Sequence, residues 1–298
     1  MSLAFAPLPE PAPDAIERAV WRTVTYAGLF QAPLPLARLH RSLMDASASP
    51  AQIAQALLRP WLLDRVEVVD GFVLPRGRRE WLALRRTRRR HSRRLVARHR
   101  RVLRALGRFP FVRMVALSGA CAHENATDHD VDVFLVTSRG RAWVVCLALT
   151  VLSRLVGVRR SLCLNYIVDE DALALAERDL FTASEAVGMR LLAGRATYER
   201  LLAANEWVFD FFPNFRALHA GEAACAPEAG SRWERWLSLP APLLERLARR
   251  VLGGRLARKG RGHAGVALSP HQLKLHTRDH RPGLLASFES AVSGEGEP

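Results

Sequence analysis

Two aspartates separated by one residue, Asp130 and Asp132, are the side chains of this sequence best placed to bind a cation. They open the run DVDVFLV, whose alternation of polar and apolar residues predicts a β-strand. Side chains two positions apart on a strand point to the same face. Two carboxylates that converge in this way repel each other until a hard divalent cation binds both, so the spacing predicts a magnesium site.

A second element of the same chemistry lies eleven residues upstream of Asp130. The apolar run over 111–117 predicts a buried strand that stops at Ser118, Gly119 and Ala120. A glycine at the end of a strand lets backbone N–H groups approach a phosphate closely. Together with the paired carboxylates, this turn predicts a site for a nucleoside triphosphate and its cation.

The stretch from Leu117 to Val136, LSGACAHENATDHDVDVFLV, resembles the signature of the polymerase β-like nucleotidyltransferase superfamily, particularly its minimal bacterial and archaeal members. That pattern is an apolar residue, Gly, then Gly or Ser, a spacer of about ten residues, and Asp-apolar-Asp/Glu-apolar. The resemblance implies a short mixed sheet, Mg²⁺ or Mn²⁺ as the cofactor, and transfer of a nucleoside monophosphate from a triphosphate such as ATP to a hydroxyl-type acceptor. It also implies roles: Ser118, Gly119 and Ala120 would bind the triphosphate, and Asp130 and Asp132 would be the catalytic metal ligands.

Active members of that superfamily carry a third carboxylate on a later strand, and the sequence leaves its identity open. The strand predicted over 161–168 has Asn165 at its centre, and an amide offers a metal a carbonyl oxygen but accepts no proton at neutral pH. Three acids, Asp169, Glu170 and Asp171, follow at the end of that strand. If none completes the site, the alternative is a catalytically degenerate member that acts as a nucleic-acid-binding or regulatory module. Ala120, where the pattern has Gly or Ser, also favours that alternative.

The spacer between the turn and the aspartates contains His123 and Glu124. Either side chain is close enough in sequence to act on a substrate. The interpretation we favour is a pair of residues on an exposed loop.

The positive charge of the chain is concentrated in one segment. The formal net charge is +15, and the segment from Arg76 to Arg108 contains fifteen arginines and one acid. The pattern predicts one long helix from Arg78 to about Leu106, with a thin apolar stripe. Its arginines either form a solvated face or bind a polyanion such as nucleic acid.

The elements around the site predict an α/β (α+β) fold in several parts. Helical patterns that begin at Asp14 and at Ser49, followed by a hairpin around Asp70 and Gly71, are typical of a winged helix. The helix that begins at Ser49, the third of the module, carries few groups that would contact DNA, which favours a packing or protein-contact module. The predicted organisation is a winged-helix module (1–75), an arginine-rich connecting helix (76–107), a nucleotidyltransferase domain (108–180) and a helical region (181–298).

Within the last region, the aromatic cluster over 207–215 is predicted to lock a helix onto a core. The stretch over 233–256 predicts an amphipathic basic helix that packs on the catalytic domain or contacts a membrane or RNA. Four histidines (His263, His271, His276 and His280) lack the spacing of a zinc site, so no metal is expected there.

Other classes of protein are excluded or not expected. Four cysteines without C-x-x-C spacing, together with a first segment unlike a secretory signal, predict a reduced, cytoplasmic protein. The longest apolar run, Ala142 to Leu152, is shorter than the roughly 20 residues of a spanning helix, so no transmembrane segment is expected.

Overall fold

A mixed six-stranded sheet forms the centre of the structure, a computed structural model that describes residues 12–216, 218, 228–231, 233–262, 265–275 and 279–294. The strand order is β7-β4-β5-β6-β9-β8, in which β5 and β6 are parallel and the other neighbours are antiparallel. The strands are β4 (Val112–Leu117), β5 (Val131–Thr137), β6 (Leu162–Asp169), β7 (Arg190–Ala193), β8 (Val266–Leu268) and β9 (Gln272–Leu275). A separate three-stranded sheet, ordered β1-β3-β2, contains β1 (Leu34–Pro35), β2 (Val66–Val69) and β3 (Phe72–Pro75).

Helices surround both sheets, and the fold belongs to the mixed α/β class. Those before β5 are α1 (Ala15–Gly28), α2 (Leu36–Arg41), α3 (Pro50–Ala56), α4 (Pro60–Leu63), α5 (Glu80–Arg98), α6 (Arg100–Leu106) and α7 (Gly119–Ala122). Those after it are α8 (Ala142–Leu155), α9 (Leu180–Gly188), α10 (Arg195–Ala203), α11 (Val208–Phe211), α12 (Glu234–Leu237), α13 (Ala241–Gly260) and α14 (Arg281–Ser293).

The central sheet is buried on both faces, which explains why β4 and β5 are almost continuously apolar. On one face, Met114, Ala116 and Phe134 pack against α9, α10, α11 and α14. On the other face, Val115, Val133 and Leu135 pack against α5, α6, α8 and α13. The predicted packing role of the aromatic cluster is confirmed, because Phe209, Phe212 and Phe215 lie in the first of these cores.

The local signals of the N-terminal segment are confirmed in detail. Asp14 caps α1 and Ser49 caps α3, each through a capping box. Asp70 and Gly71 join β2 to β3 with φ values of 53° and 77°, the left-handed pair that a tight hairpin turn requires. These elements enclose their own apolar core, in which Val20, Leu39, Ile53, Leu62 and Val73 are buried.

Two predicted elements differ from the structure. The arginine-rich segment forms two helices, because α5 ends at the buried His99 and α6 begins at Arg100. The region over 181–298 is not only helical, since it contributes β7, β8 and β9 to the central sheet. These strands have three or four residues each. β7 pairs with β4 and β9 pairs with β6, both distant in sequence, and β8 pairs with β9.

The N-terminal segment is fixed to the C-terminal helices through one amide side chain. Asn214 is buried, accepts hydrogen bonds from the Ser47 hydroxyl and the Ala48 N–H, and donates to the carbonyls of His40 and Ala48. A buried amide with its donors and acceptors satisfied fixes a specific packing geometry. The α2 helix is therefore held beside the helices that approach the end of β4.

The carboxylate of Asp169, at the end of β6, binds neighbouring loops through hydrogen bonds. It is fully buried and accepts hydrogen bonds from the Gly140 N–H at 2.8 Å, the Asp171 N–H at 3.0 Å and His271 Nδ1 at 2.8 Å. Asp169, Asp171 and His271 also place ligand atoms within 4.8 Å of one another. The donors to Asp169 are supplied by the protein itself, so we assign this cluster a structural role.

The hydrogen bond between Asp169 and His271 predicts that the stability of the protein depends on pH. The hydrogen bond to Asp169, and then the charge of Asp169, raise the pKa of His271 above its usual 6.5. A raised folded-state pKa means that the stabilisation is complete below pH 6.5 and is lost as the pH rises through the folded-state value. Because the imidazole is half exposed, we expect a decrease of at most about 1 kcal/mol in the free energy of unfolding.

Urea unfolding at several pH values from about 5.5 to about 8.5, the range in which histidine titrates, measures the effect. His271→Gln is the comparison, since it should remove the slope between these limits. An equal slope in the wild type and in this variant would show that another group is responsible.

Candidate functional site

The carboxylate of Asp132 lies directly against the turn at Gly119. A Cβ atom built on Gly119 would be 2.8 Å from Asp132 Oδ2, and Gly119 has a φ of +59°. The left-handed backbone conformation favours glycine at this position, and a Cβ atom there would displace the end of the Asp132 side chain. The Ser118 N–H also donates to the main-chain carbonyl of Asp132 at 3.1 Å, which fixes the turn beside the start of β5. The sequence prediction that the turn and the acids adjoin is met for Asp132.

Cys163 is the residue of the neighbouring strand that lies beside the two aspartates. The parallel pairing of β5 with β6 places Asp132 opposite Cys163 and Phe134 opposite Tyr166. One extra residue of β6 therefore forms a bulge between these pairs. Burial, together with the charges of Asp130 and Asp132 and a hydrogen bond with Asp130, raises the pKa of the Cys163 thiol to about 12. The thiol therefore stays protonated, and both carboxylates lie close enough to the thiol to act on its pKa.

The pairing identifies the residue of β6 that lies beside Asp132. Cys163 is in register with Asp132, and Asn165 follows two residues later on β6. The Asn165 side chain lies outside the described residues, so its part in the site stays a prediction.

The acids after β6 are at the wrong end of the sheet. Asp169 pairs with Thr137, the last residue of β5, whereas Asp132 is near its beginning. Five residues of strand separate the two positions by roughly 16 Å. Each acid also has other partners. Asp169 accepts the hydrogen bonds described above, Glu170 pairs with the Arg200 guanidinium at 2.5 Å, and Asp171 pairs with the Arg139 guanidinium at 3.2 Å. None of the three completes a site with Asp130 and Asp132.

A carboxylate that sequence reasoning missed, Glu185 of α9, reaches the turn. Its Oε2 atom accepts a hydrogen bond from the Gly119 N–H at 3.0 Å. Gly119 is thus contacted by Asp132 on one side and by Glu185 on another. No local pattern marks Glu185, because it is an ordinary residue of a helix that reaches the turn only through the packing of α9 on the sheet.

The imidazole of His123 extends this contact to the N-terminal segment. Arg38 of α2 donates to His123 Nδ1 at 2.6 Å, and His123 Nε2 lies 3.5 Å from Glu185 Oε1. Because arginine only donates, Nδ1 is the acceptor and the proton is on Nε2, facing Glu185. The ring also lies where a side chain on Gly188 would be, since a Cβ there would be 2.2 Å from His123 Cε1. His123 is therefore a packed residue beside the turn, and the expectation of an exposed loop residue is wrong.

Several arginines of α5 are used inside the protein to hold the spacer loop. Arg85 is buried and donates to the main-chain carbonyls of His123, at 3.1 Å, and Glu124. Burial, and then the charge of Arg38, lower the pKa of Arg85 to about 10. Arg89 and Arg93 form ion pairs with the Glu124 carboxylate at 3.0 and 2.8 Å. Glu124 thus neutralises part of the helix, and this face of α5 acts as a support for the loop.

Other arginines of the segment remain exposed. Within the described residues, five of them are exposed and form no ion pair: Arg94, Arg98, Arg101, Arg104 and Arg108. A further exposed cation, Arg190 of β7, is opposite Leu117, one residue before the turn. Its charge is close enough to lower the pKa of the Cys121 thiol, which burial and Asp132 raise to about 11.

The site holds two neighbouring carboxylates and a third that faces the turn, but these do not converge on one point. Among the described residues, a group of three acidic, histidine or cysteine ligands within 4.8 Å occurs at Asp169, Asp171 and His271 and does not include Asp130 or Asp132. Ala120 is exposed beside the turn, and the Ser118 hydroxyl has no hydrogen-bond partner in the described part of the chain. The geometry is a carboxylate pair next to a glycine turn with an unengaged hydroxyl.

Comparisons with family models, with curated proteins and with solved structures gave no match to this chain. Among the described helices, none is both long enough and apolar enough to cross a membrane.

Replacement of Glu185 by Gln tests the third carboxylate. The amide retains an oxygen that accepts from the Gly119 N–H but removes the charge that would repel a phosphate at the turn. Under the function proposed in the next subsection, we therefore expect the turn to keep its conformation while nucleotide binding strengthens about tenfold. Calorimetry in the presence of Mg²⁺ measures the change. Glu199→Gln, which removes a carboxylate from the exposed pair with Arg195, is the matched control. Equal affinities for both variants would assign Glu185 a purely structural role.

Proposed function

We propose that this protein is a metal-dependent nucleotidyltransferase with a nucleotidyltransferase-type sheet and a winged-helix-like N-terminal module. The observation that carries the proposal is the contact between Asp132 and Gly119, where a glycine of φ +59° makes room for a carboxylate at the end of the preceding strand. A structural role alone would not require an acid there, since an uncharged residue of similar size avoids the repulsion from Asp130.

Each residue of the site has a proposed task. The turn at Ser118, Gly119 and Ala120 would bind the triphosphate through its hydroxyl and backbone donors. Arg190, exposed beside the turn, would balance part of the phosphate charge. Glu185 would have to release the Gly119 N–H, at 3.0 Å, for a phosphate oxygen to accept from it.

The residues present fit a divalent cation. Asp130 and Asp132 offer hard oxygen ligands on one side of β5, and both side chains are partly exposed. Space left by the missing Cβ of Gly119 is next to Asp132 Oδ2. When bound, Mg²⁺ or Mn²⁺ would supply charge neutralisation at the phosphates and alignment of the attacking hydroxyl with the α-phosphorus. The protonated Cys163 thiol adds no charge to the pair.

Incubation of the protein with α-labelled nucleoside triphosphates, Mg²⁺ or Mn²⁺ and cell lysate tests the proposal. We expect transfer of the label to an acceptor, with release of pyrophosphate in equal amount, and loss of both with a chelator. Labelled lysate without pyrophosphate release, or release that is unaffected by the chelator, would contradict it.

The second candidate is a catalytically degenerate relative that acts as a nucleic-acid-binding or regulatory module. It is favoured by the absence of an acid opposite Asp132 on the neighbouring strand, where Cys163 lies, and by the exposed arginines of α5 and α6. Such a module would bind polyanions with an affinity that falls steeply as salt rises, and without any dependence on Mg²⁺. The outer residues of α3, Ala51, Gln52 and Gln55, carry no charge, so we place that contact on the arginines and not on the N-terminal module.

A further inference from the structure

The α13 helix presents two apolar faces, of which only one is covered. Its inner stripe consists of Ala241, Ala248 and Leu252, which are buried against α8 and the sheet. A second stripe, Leu243, Leu247 and Val251, lies on the other side and is exposed, with Leu243 at 71% of its full accessible area. Contiguous large apolar side chains on a protein surface usually mark a site that contacts a partner. The packing predicted from sequence therefore accounts for one face of this helix only.

Two tryptophans extend the exposed stripe beyond the helix N-terminus. Trp233 caps the one-turn helix α12 and is 65% exposed, and Trp236 lies within that helix and is 76% exposed. Leu239, in the turn that follows, is 89% exposed. The segment that carries the two tryptophans is fixed to the sheet, because Glu234 accepts two hydrogen bonds of 2.7 Å from the Arg113 guanidinium of β4. The aromatic rings are thus held in water by an anchored segment.

The cations of α13 occupy a separate sector of its surface. At about 100° per residue, Arg246, Arg249 and Arg250 lie beside the exposed apolar stripe and not within it. All three are exposed and make no ion pair within the described residues. The segment 233–260 contains seven basic and two acidic residues, and both acids are engaged internally: Glu234 by Arg113, and Glu245 by the N–H groups of Trp143 and Val144. The outer surface is therefore strongly positive.

The neighbouring helix also carries exposed apolar residues. On α8, Val151, Leu152 and Leu155 are exposed, and α8 packs against both the sheet and α13. Exposed apolar area is therefore not confined to α13.

We propose that this surface, defined by Trp233, Trp236, Leu239, Leu243, Leu247 and Val251 with Arg246, Arg249 and Arg250, binds the surface of an anionic lipid bilayer. Apolar and tryptophan side chains beside a band of arginines are the composition of helices that lie in the membrane interface. The arginines match the negative charge of anionic headgroups, and the aliphatic side chains match the acyl boundary. A second copy of the chain is disfavoured because it would bring the same cations together, and nucleic acid offers no partner for the aliphatic stripe.

Flotation with large vesicles tests the proposal with the full chain. The probes are vesicles of phosphatidylcholine alone and of phosphatidylcholine with about 30% phosphatidylglycerol. We expect binding to the anionic vesicles, a shift of the tryptophan emission to shorter wavelength, and weaker binding as salt increases. The double variant Trp236→Ser, Leu243→Ser should bind at least tenfold less, whereas Leu58→Ser, which changes a leucine 75% exposed at the end of α3, should bind like the wild type.

Because the three substituted side chains are exposed, thermal melts of the variants should match the wild type and separate binding from folding. The proposal is overturned if the protein floats equally with neutral vesicles, if the double variant retains binding, or if the stripe mediates only self-association. Binding of a single-stranded RNA oligonucleotide in place of vesicles, reduced by Arg249→Gln but not by the double variant, would overturn it in favour of RNA.

Discussion

Under the proposed function, replacement of Asp132 by Asn is expected to reduce nucleotidyl transfer by at least about 10³-fold, because the amide cannot bring a negative charge to the cation that would neutralise the phosphates. The substitution preserves size, and its oxygen remains beside Gly119, 2.8 Å from the position of a Cβ atom. It also removes the repulsion between two neighbouring carboxylates, so the melting temperature should be unchanged or slightly higher. The measurement is the rate of pyrophosphate release from a labelled triphosphate, with a thermal melt of the same sample.

Asp171→Asn is the matched control for this variant. Asp171 is an exposed aspartate at the opposite end of the sheet, where it pairs with Arg139 at 3.2 Å. The control should retain the wild-type rate. An Asp132→Asn protein that turns over at the wild-type rate would remove Asp132 from the chemistry.

The second large effect is on stability and concerns Gly194, the residue that joins β7 to α10. It has a φ of +91°, and a Cβ atom built there would be 2.0 Å from the Arg113 carbonyl oxygen and 2.7 Å from the Met114 Cα. Both neighbours are backbone atoms of the central strand β4, so they cannot move aside without shifting the sheet. Gly194→Ala should lower the free energy of unfolding by about 3 kcal/mol or more, through overpacking and left-handed strain together.

Gly77→Ala separates the two contributions. Gly77 has a similar φ of +81°, but a Cβ atom there meets nothing within 4 Å. We expect this control to lose about 1 kcal/mol, the cost of the left-handed conformation alone. Urea unfolding of both variants measures the difference. Equal losses would mean that the contact between β7 and β4 is looser than the structure indicates.

Sequence patterns predicted the local elements of this protein well. Several elements depend only on neighbours within a few residues. They are the helix caps Asp14 and Ser49, the turn at Asp70 and Gly71, and the strand β5 that contains the second aspartate of the carboxylate pair. The adjacency of the turn and Asp132 follows from the antiparallel pairing of β4 with β5, which brings the end of β4 beside the start of β5. Local chemistry was sufficient at these positions.

The residues that sequence reasoning missed depend on packing between distant segments. Cys163 lies beside Asp132 because of a bulge in a parallel pair, and one residue of register changes which side chain faces the acids. Glu185 reaches Gly119, and Arg38 reaches His123, only after helices from different parts of the chain pack on the turn. The arginines of α5 were correctly expected to lie on a helix, but their division between loop support and free surface depends on where Glu124 lies.

Calorimetric titration of the protein with ATP, with Mg²⁺ and with a chelator, tests the central claim most directly. The geometry of Asp130, Asp132 and the Gly119 turn predicts that ATP binds in the presence of Mg²⁺, that chelation abolishes the heat of binding, and that Asp132→Asn does the same. Binding that is equal with Mg²⁺ and with the chelator, and that falls only with salt, would contradict nucleotidyl transfer at this site.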